Sequence, residues 1–237
     1  MQASNSSRNH FVFGKGRTIG EKGRRTRAGF LKFGEVEAWG RRREVKPSRL
    51  LPDSKTPWPS ESTTFADVQK NLGFKLGREI SLKVAGGGRP VVVDFGCARG
   101  VALGSITKKF PSVKAYGFSD VSYQEWLSDD KARYIFSKHS LFRRYFKKGS
   151  VDILYSNLGI LHLYERAPEY IRQILPVLKV GGTLVTDINY ETFGPHGKSV
   201  IETEGMRFEV ECRPWYYSQG DYKKIWHHDV VIARRVQ

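Results

Sequence analysis

Apolar residues recur along this chain in two alternating rhythms. Val91-Val92-Val93 is a run of β-branched residues closed by Asp94 and Phe95, the pattern of a strand buried on both faces. Similar short runs follow at Lys114–Phe118, Arg133–Phe136, Val151–Tyr155 and Thr183–Asp187. The stretches between them, near Val101–Phe110, Tyr123–Ser128, Leu141–Phe146 and Ala167–Leu178, carry helical spacing. Upstream, Thr63 or Thr64 is placed to cap a helix over Phe65–Val84, which Gly73 and Gly77 weaken and Gly86-Gly87-Gly88 ends. Gly181-Gly182 separates the last helix from the fifth strand. Arg207–Cys212 and Ile225–Ala233 then read as strands with no full helix between them, an antiparallel hairpin at the sheet edge. Strand and helix alternating over short connections predict an α/β domain with a doubly wound, mostly parallel sheet.

Composition narrows the setting. A chain of 237 residues with 39% hydrophobic and 13% aromatic content can bury a core. No run of about 18 apolar residues is present, so no membrane span is expected. The two cysteines, Cys97 and Cys212, cannot build a disulfide framework and point to a reducing, cytoplasmic setting. Arg24-Arg25 resembles the start of an export signal, but no apolar segment follows it.

Charge divides the chain. The net charge is +16, and residues 1–50 carry thirteen Lys and Arg against four Glu, a local excess of +9. Phe11, Phe13, Phe30, Phe33 and Trp39 are interleaved with those bases, while Pro47, Pro52, Pro57 and Pro59 mark a linker. Three segments follow: a basic, aromatic-containing extension over 1–46, a Pro-rich linker over 47–62, and an α/β domain over 63–237. A basic extension of this kind fits a polyanionic partner, RNA first, or else a solubilising tail.

The turn after the first strand holds the chemistry. Gly96, Ala98 and Gly100 leave almost no side-chain bulk, so backbone can approach a nucleotide-like ligand. A dinucleotide fingerprint needs Gly-x-Gly-x-x-Gly, and Ala98 and Val101 occupy its second and third glycine positions. A P-loop is excluded too, because no Lys-Ser or Lys-Thr pair follows. The next strand ends bring Gly117-Phe118-Ser119-Asp120, Phe136-Ser137-Lys138-His139 and Ser156-Asn157-Leu158-Gly159 to the same rim. An acid after the second strand suits the two hydroxyls of a ribose.

Three blocks, residues 92–100, 149–157 and 178–185, resemble in order and spacing the class I S-adenosylmethionine-dependent methyltransferases. The resemblance runs from about Phe65 to Arg235. It implies a seven-stranded, mostly parallel sheet whose last strand runs antiparallel, with S-adenosylmethionine lying across the first two strand ends. By the same resemblance, Asp94, Gly96, Cys97, Ala98 and Gly100 surround the methionine portion. Asp120, or Ser119 in its place, holds the ribose; Ser137 lies toward the adenine, and Asn157 and Leu158 lie near the sulfonium. Two departures stand out: Ala98 replaces the middle glycine, and the ribose acid is offset by one position from Ser119 to Asp120, where Asp120-Val121-Ser122 keeps the acid-x-Ser run.

Methyl transfer depends on positioning more than on side-chain chemistry, and no catalytic residue is assigned. His162 and His139 are candidate bases. Strand alternation points His227 and His228 to opposite faces, and no His/Cys spacing suits zinc, so no metal site is expected. Cys97 sits in the cofactor turn, which argues against its use as a nucleophile. Asn157 is followed by Leu158-Gly159 rather than by the Pro-Pro-aromatic run of base N-methylases, and Asp187 and Lys198 do not complete a Lys-Asp-Lys-Glu set. Three functions remain in view: methyl transfer to RNA held by residues 1–50, methyl transfer to a small molecule, and a catalytically silent binding module.

Overall fold

In the computed structural model, residues 31–32, 63–129, 131–159, 161, 167–188, 196–218 and 225–237 are described. The extension and linker expected over residues 1–62 lie outside them, apart from Leu31–Lys32. One sheet of nine strands organises the rest, in the order β1-β4-β3-β2-β5-β6-β9-β8-β7. The strands are β1 (Leu31–Lys32), β2 (Val91–Phe95), β3 (Lys114–Ser119), β4 (Arg133–Phe136), β5 (Val151–Ser156), β6 (Leu178–Ile188), β7 (Gly197–Thr203), β8 (Met206–Ser218) and β9 (Ile225–Arg235). The helices are α1 (Phe65–Asn71), α2 (Leu76–Ala85), α3 (Val101–Lys109) and α4 (Ala167–Ile174).

Strands β4, β3, β2, β5 and β6 are parallel, and β9 runs antiparallel between β6 and β8. These seven are the strands expected from the sequence. The expected count of seven is corrected to nine by β1, which pairs antiparallel with β4, and by β7, which pairs antiparallel with β8. The β8–β9 pair is therefore not the edge. The edge strand β7 escapes a pattern reading because Lys198, Ser199, Glu202 and Thr203 dilute its apolar signal, as suits an exposed edge. It turns into β8 through Glu204 (φ 51°) and Gly205 (φ 73°), a two-residue hairpin loop with both residues left-handed.

The chain leaves β2 toward β3 and β4 on one side and returns to β5 and β6 on the other. Connections reverse direction between β2 and β5, and an open sheet offers its ligand crevice outside the carboxyl ends of such a pair. Each face carries its own core. Phe65, Val68, Leu72, Leu76 and Ile80 of the first two helices pack with Leu103 and Ile106 of α3 on one side. Phe142, Phe146, Ile171, Ile174 and Leu175 cover the other.

The single helix expected over Phe65–Val84 is two. Thr64 caps α1, its hydroxyl accepting from Asp67 N–H while the Asp67 carboxylate accepts from Thr64 N–H. The break falls at Gly73, in the left-handed region at φ 53°. The Trp215 ring of β8 covers Gly73, its Nε1–H donating to Lys70 O at 3.0 Å, and Arg213 donates to Gly73 O at 2.8 Å. Glu79 of α2 ties this layer to the sheet, accepting twice from Arg234 at 3.1 Å and once from the Thr183 hydroxyl at 3.0 Å. The stretches expected as helices near Tyr123–Ser128 and Leu141–Phe146 are 3-10 turns over Gln124–Ser128 and His139–Arg144. Both are too short for an α-helix to repay its nucleation. Among the described residues, no helix is long and apolar enough to cross a membrane.

Candidate functional site

Asp94, the penultimate residue of β2, lies beside Gly117 of β3 and Tyr155 of β5. Its carboxylate is buried and accepts a hydrogen bond from the Tyr155 hydroxyl at 2.8 Å. Burial pushes the Asp94 carboxyl up to about 7, and the Tyr155 hydrogen bond only partly opposes that rise. Burial likewise raises the Cys97 thiol, with the Asp94 charge beside it adding to the effect, so Cys97 is a poor nucleophile.

The turn itself is held by backbone and rings. Gly96 N–H donates to Phe118 O at 2.7 Å, and Gly100 N–H donates to Cys97 O at 2.8 Å. Gly96 (φ 93°), Ala98 (φ 43°) and Gly100 (φ 78°) all adopt left-handed backbone, which costs Ala98 what it spares the glycines. The Trp126 indole N–H donates to Ala98 O at 2.8 Å and pins that strained residue. Trp126 stacks on Tyr134 at 4.9 Å, and a Cβ at Gly100 would overlap the Tyr134 ring.

The neighbouring strand ends complete the rim. Ser119 is buried at the end of β3, and its hydroxyl accepts from Val121 N–H at 3.1 Å. Asp120 is half-exposed and faces His139 Nε2 at 3.4 Å; hydrogen bonding from His139 lowers its pKa. His139 lies against Phe95 and Phe118, and Ser137 N–H donates to Ser119 O at 2.9 Å.

After β5, Leu158 takes φ 50° and its N–H donates to the Asp187 carboxylate at 2.8 Å. A Cβ on Gly159 would stand 3.0 Å from Phe95 O, so this turn lies directly against the end of β2. Asn157 is 9% exposed, and neither its amide nitrogen nor its oxygen has a hydrogen-bond partner among the described residues. Buried amides of this kind are normally satisfied, so the pair of open valences points to a polar ligand.

All ten residues expected around the crevice thus lie at the carboxyl ends of β2, β3, β4 and β5. His139 stands at the rim, whereas His162 lies outside the described residues, as do the side chains of His227 and His228. Cys212 is buried, and burial lifts its thiol to about 11. The sequence reading missed Tyr155, Tyr134, Trp126 and Asp187 as supports. The strand register sets Tyr155 beside Asp94, and tertiary contacts bring in the other three.

No family model and no curated protein matches the chain. Among solved structures, it is similar to the Burkholderia thailandensis 1,6-didemethyltoxoflavin-N1-methyltransferase bound to 1,6-didemethyltoxoflavin and S-adenosylhomocysteine. That likeness has 14% identity over 78% of this chain and 94% of that one, with a TM-score of 0.46. It is also similar to Haemonchus contortus phosphoethanolamine N-methyltransferase 2 in complex with S-adenosyl-L-methionine, at 12% identity, 73% of this chain, 58% of that one and a TM-score of 0.46. The chain therefore spans under two thirds of the second protein's length. The fold rests on the topology itself: five parallel strands centred on β2, with β9 inserted antiparallel between β6 and β8, make this the class I methyltransferase fold.

Proposed function

We propose that the crevice between β2 and β5 binds S-adenosylmethionine and that the chain is a methyltransferase. The observation that carries this reading is Asn157, a buried side-chain amide whose two polar atoms have no partner among the described residues, set beside a left-handed, low-bulk turn. When bound, S-adenosylmethionine supplies a methyl group already activated on a sulfonium. The chain's task is then to orient and to exclude water. Gly96, Ala98 and Gly100 would lie along the methionine portion, with Asp94 beneath them. Asp120 is the residue we assign to the ribose, because the Ser119 hydroxyl is buried and engaged by Val121 N–H whereas the Asp120 carboxylate, beside His139, is half-exposed at the rim. Ser137 would flank the adenine, and Asn157 and Leu158 would close the reacting end.

The acceptor we propose is RNA, held by residues 1–50. Their excess of +9 and interleaved Phe30, Phe33 and Trp39 support it, since phosphates and stacked bases ask for those residue types. Titration calorimetry with S-adenosylhomocysteine tests the cofactor reading. Wild type should bind, and Asn157→Ala should bind at least tenfold more weakly; no heat from the wild type would overturn it. Transfer of a tritiated methyl group from S-adenosylmethionine to cell extract, lost on ribonuclease treatment, tests the acceptor.

A further inference from the structure

Strand β7 (Gly197–Thr203) closes the sheet on one side, and among the described residues it pairs with β8 alone. Its hairpin fixes which of its backbone groups are used. A two-residue loop with both residues left-handed is closed by a bond from the residue after it to the residue before it, which makes Thr203 and Met206 a hydrogen-bonded pair. Antiparallel pairs alternate, so Ile201 and Ser199 also turn their N–H and C=O toward β8. Glu202, Val200 and Lys198 turn theirs toward the free edge. Side chains alternate as well. Ile201 packs against the core on one face of the sheet, and Lys198, Val200 and Glu202 share the other. All three are exposed, Val200 to 50%.

A free edge invites another strand, and a lysine on it is a usual guard. Here the guard has a complement. Lys198 and Glu202 stand two residues to either side of Val200, with opposite charge. A second β7 laid antiparallel about Val200 sets Lys198 of each copy opposite Glu202 of the other. The two Val200 side chains then meet at a two-fold axis. These are the residues whose backbone faces outward, so each of the three pairs exchanges two bonds, about six in all. Within one chain, Glu202 already lies opposite Arg207, and Lys198 opposite Glu211. Across the joint the row therefore reads Arg207, Glu202, Lys198, Glu211, alternating in sign over four strands. An axis at Lys198 or at Glu202 would oppose like charges, and one at Ser199 or Ile201 would set Val200 against a charge. The register centred on Val200 is the one that satisfies both charges.

We propose that β7 joins two copies of this chain edge to edge in a symmetric dimer with one continuous sheet. Three strands, β6, β9 and β8, separate β7 from β5, so the joint lies away from the crevice and does not depend on what the crevice binds. A seven-residue edge is small for an interface, and association in the micromolar range is expected.

The test is sedimentation equilibrium of the full chain from about 1 to about 300 µM. Wild type should pass from monomer to dimer over that range. Lys198→Glu or Glu202→Lys sets two pairs of like charges at the joint, and each should weaken association about tenfold. The double exchange restores both pairs with their signs reversed and should return the constant to within about threefold of wild type. The contacts to Glu211 and Arg207 change alike in monomer and dimer, so they drop out of the comparison. Val200→Pro removes the outward N–H at the axis, spares the bonds to β8 and should abolish the dimer, with thermal melting reporting that the fold is kept. A wild type that stays monomeric throughout, with β7 left bare or covered by another segment of the chain, would overturn the proposal. So would a dimer unmoved by the single exchanges, or a double exchange no tighter than the singles, because the joint would then lie elsewhere or in another register.

Discussion

The Tyr155 hydroxyl donates a 2.8 Å hydrogen bond to Asp94 across the β2–β5 pair, where the register sets the two residues side by side. This contact lies beneath the glycine-rich turn and away from bulk water. It gives Asp94 a single described donor in a place that disfavours charge.

Stability should therefore fall as the solution becomes more basic. Asp94 titrates near 3.8 in an open chain and near 7 in the fold, so the native state holds the extra proton between those values. The stabilisation is full below about pH 4 and is lost progressively up to about pH 7, amounting to roughly 4 kcal/mol at about 1.4 per unit. Asp94→Asn removes the titration. Urea midpoints taken at pH 5 and pH 8 should differ clearly less for that variant than for wild type; equal differences would contradict the assignment.

Ala98 is the strained member of its turn, with φ at 43°. Ala98→Gly should relieve about 1 kcal/mol of left-handed strain and give back part of it in unfolded-chain entropy, for a net gain of about 0.5 kcal/mol. Thermal melting checks the sign. A loss of stability would mean that the methyl group packs usefully against its neighbours.

The sheet was legible because Val91–Phe95 and Val151–Ser156 are buried on both faces and read as continuous apolar runs. The turn was legible for a different reason: Gly96 and Gly100 adopt backbone that other residues avoid. What stayed hidden depends on strand register. Tyr155 meets Asp94 over 61 residues of chain, and Asp187 meets Leu158 over 29, and neither spacing has a local signal. The hairpin at Glu204-Gly205 was hidden by its chemistry, since Glu stands where Asn or Asp usually announces such a loop.

Glu79 should prove a structural anchor. It is buried on α2, and three hydrogen bonds from Arg234 and Thr183 converge on it. Glu79→Ala leaves the buried Thr183 hydroxyl without its acceptor, while the exposed Arg234 guanidinium turns to water, and should cost about 1–2 kcal/mol. Glu79→Gln keeps the shape and should recover part of it. Chemical denaturation of both variants measures the difference; equal losses would assign the effect to charge alone.

Gly73→Ala should be damaging. Its Cβ would stand 2.5 Å from Trp215 Cε2, on a backbone already at φ 53°. A loss of about 2–3 kcal/mol is expected. A double-mutant cycle with Trp215→Ala should return about 1 kcal/mol of coupling. Strict additivity would show that backbone strain, not the ring, dominates.

That indole also orders events in time. Its bond to Lys70 O crosses 145 residues, and the Arg213 bond to Gly73 O crosses 140. As the chain emerges from a ribosome, the corner between the first two helices is made early and stays unlatched until β8 appears. Final docking of that corner reports that the sheet is essentially assembled, so protection of its amides from solvent exchange should be among the last gained during synthesis.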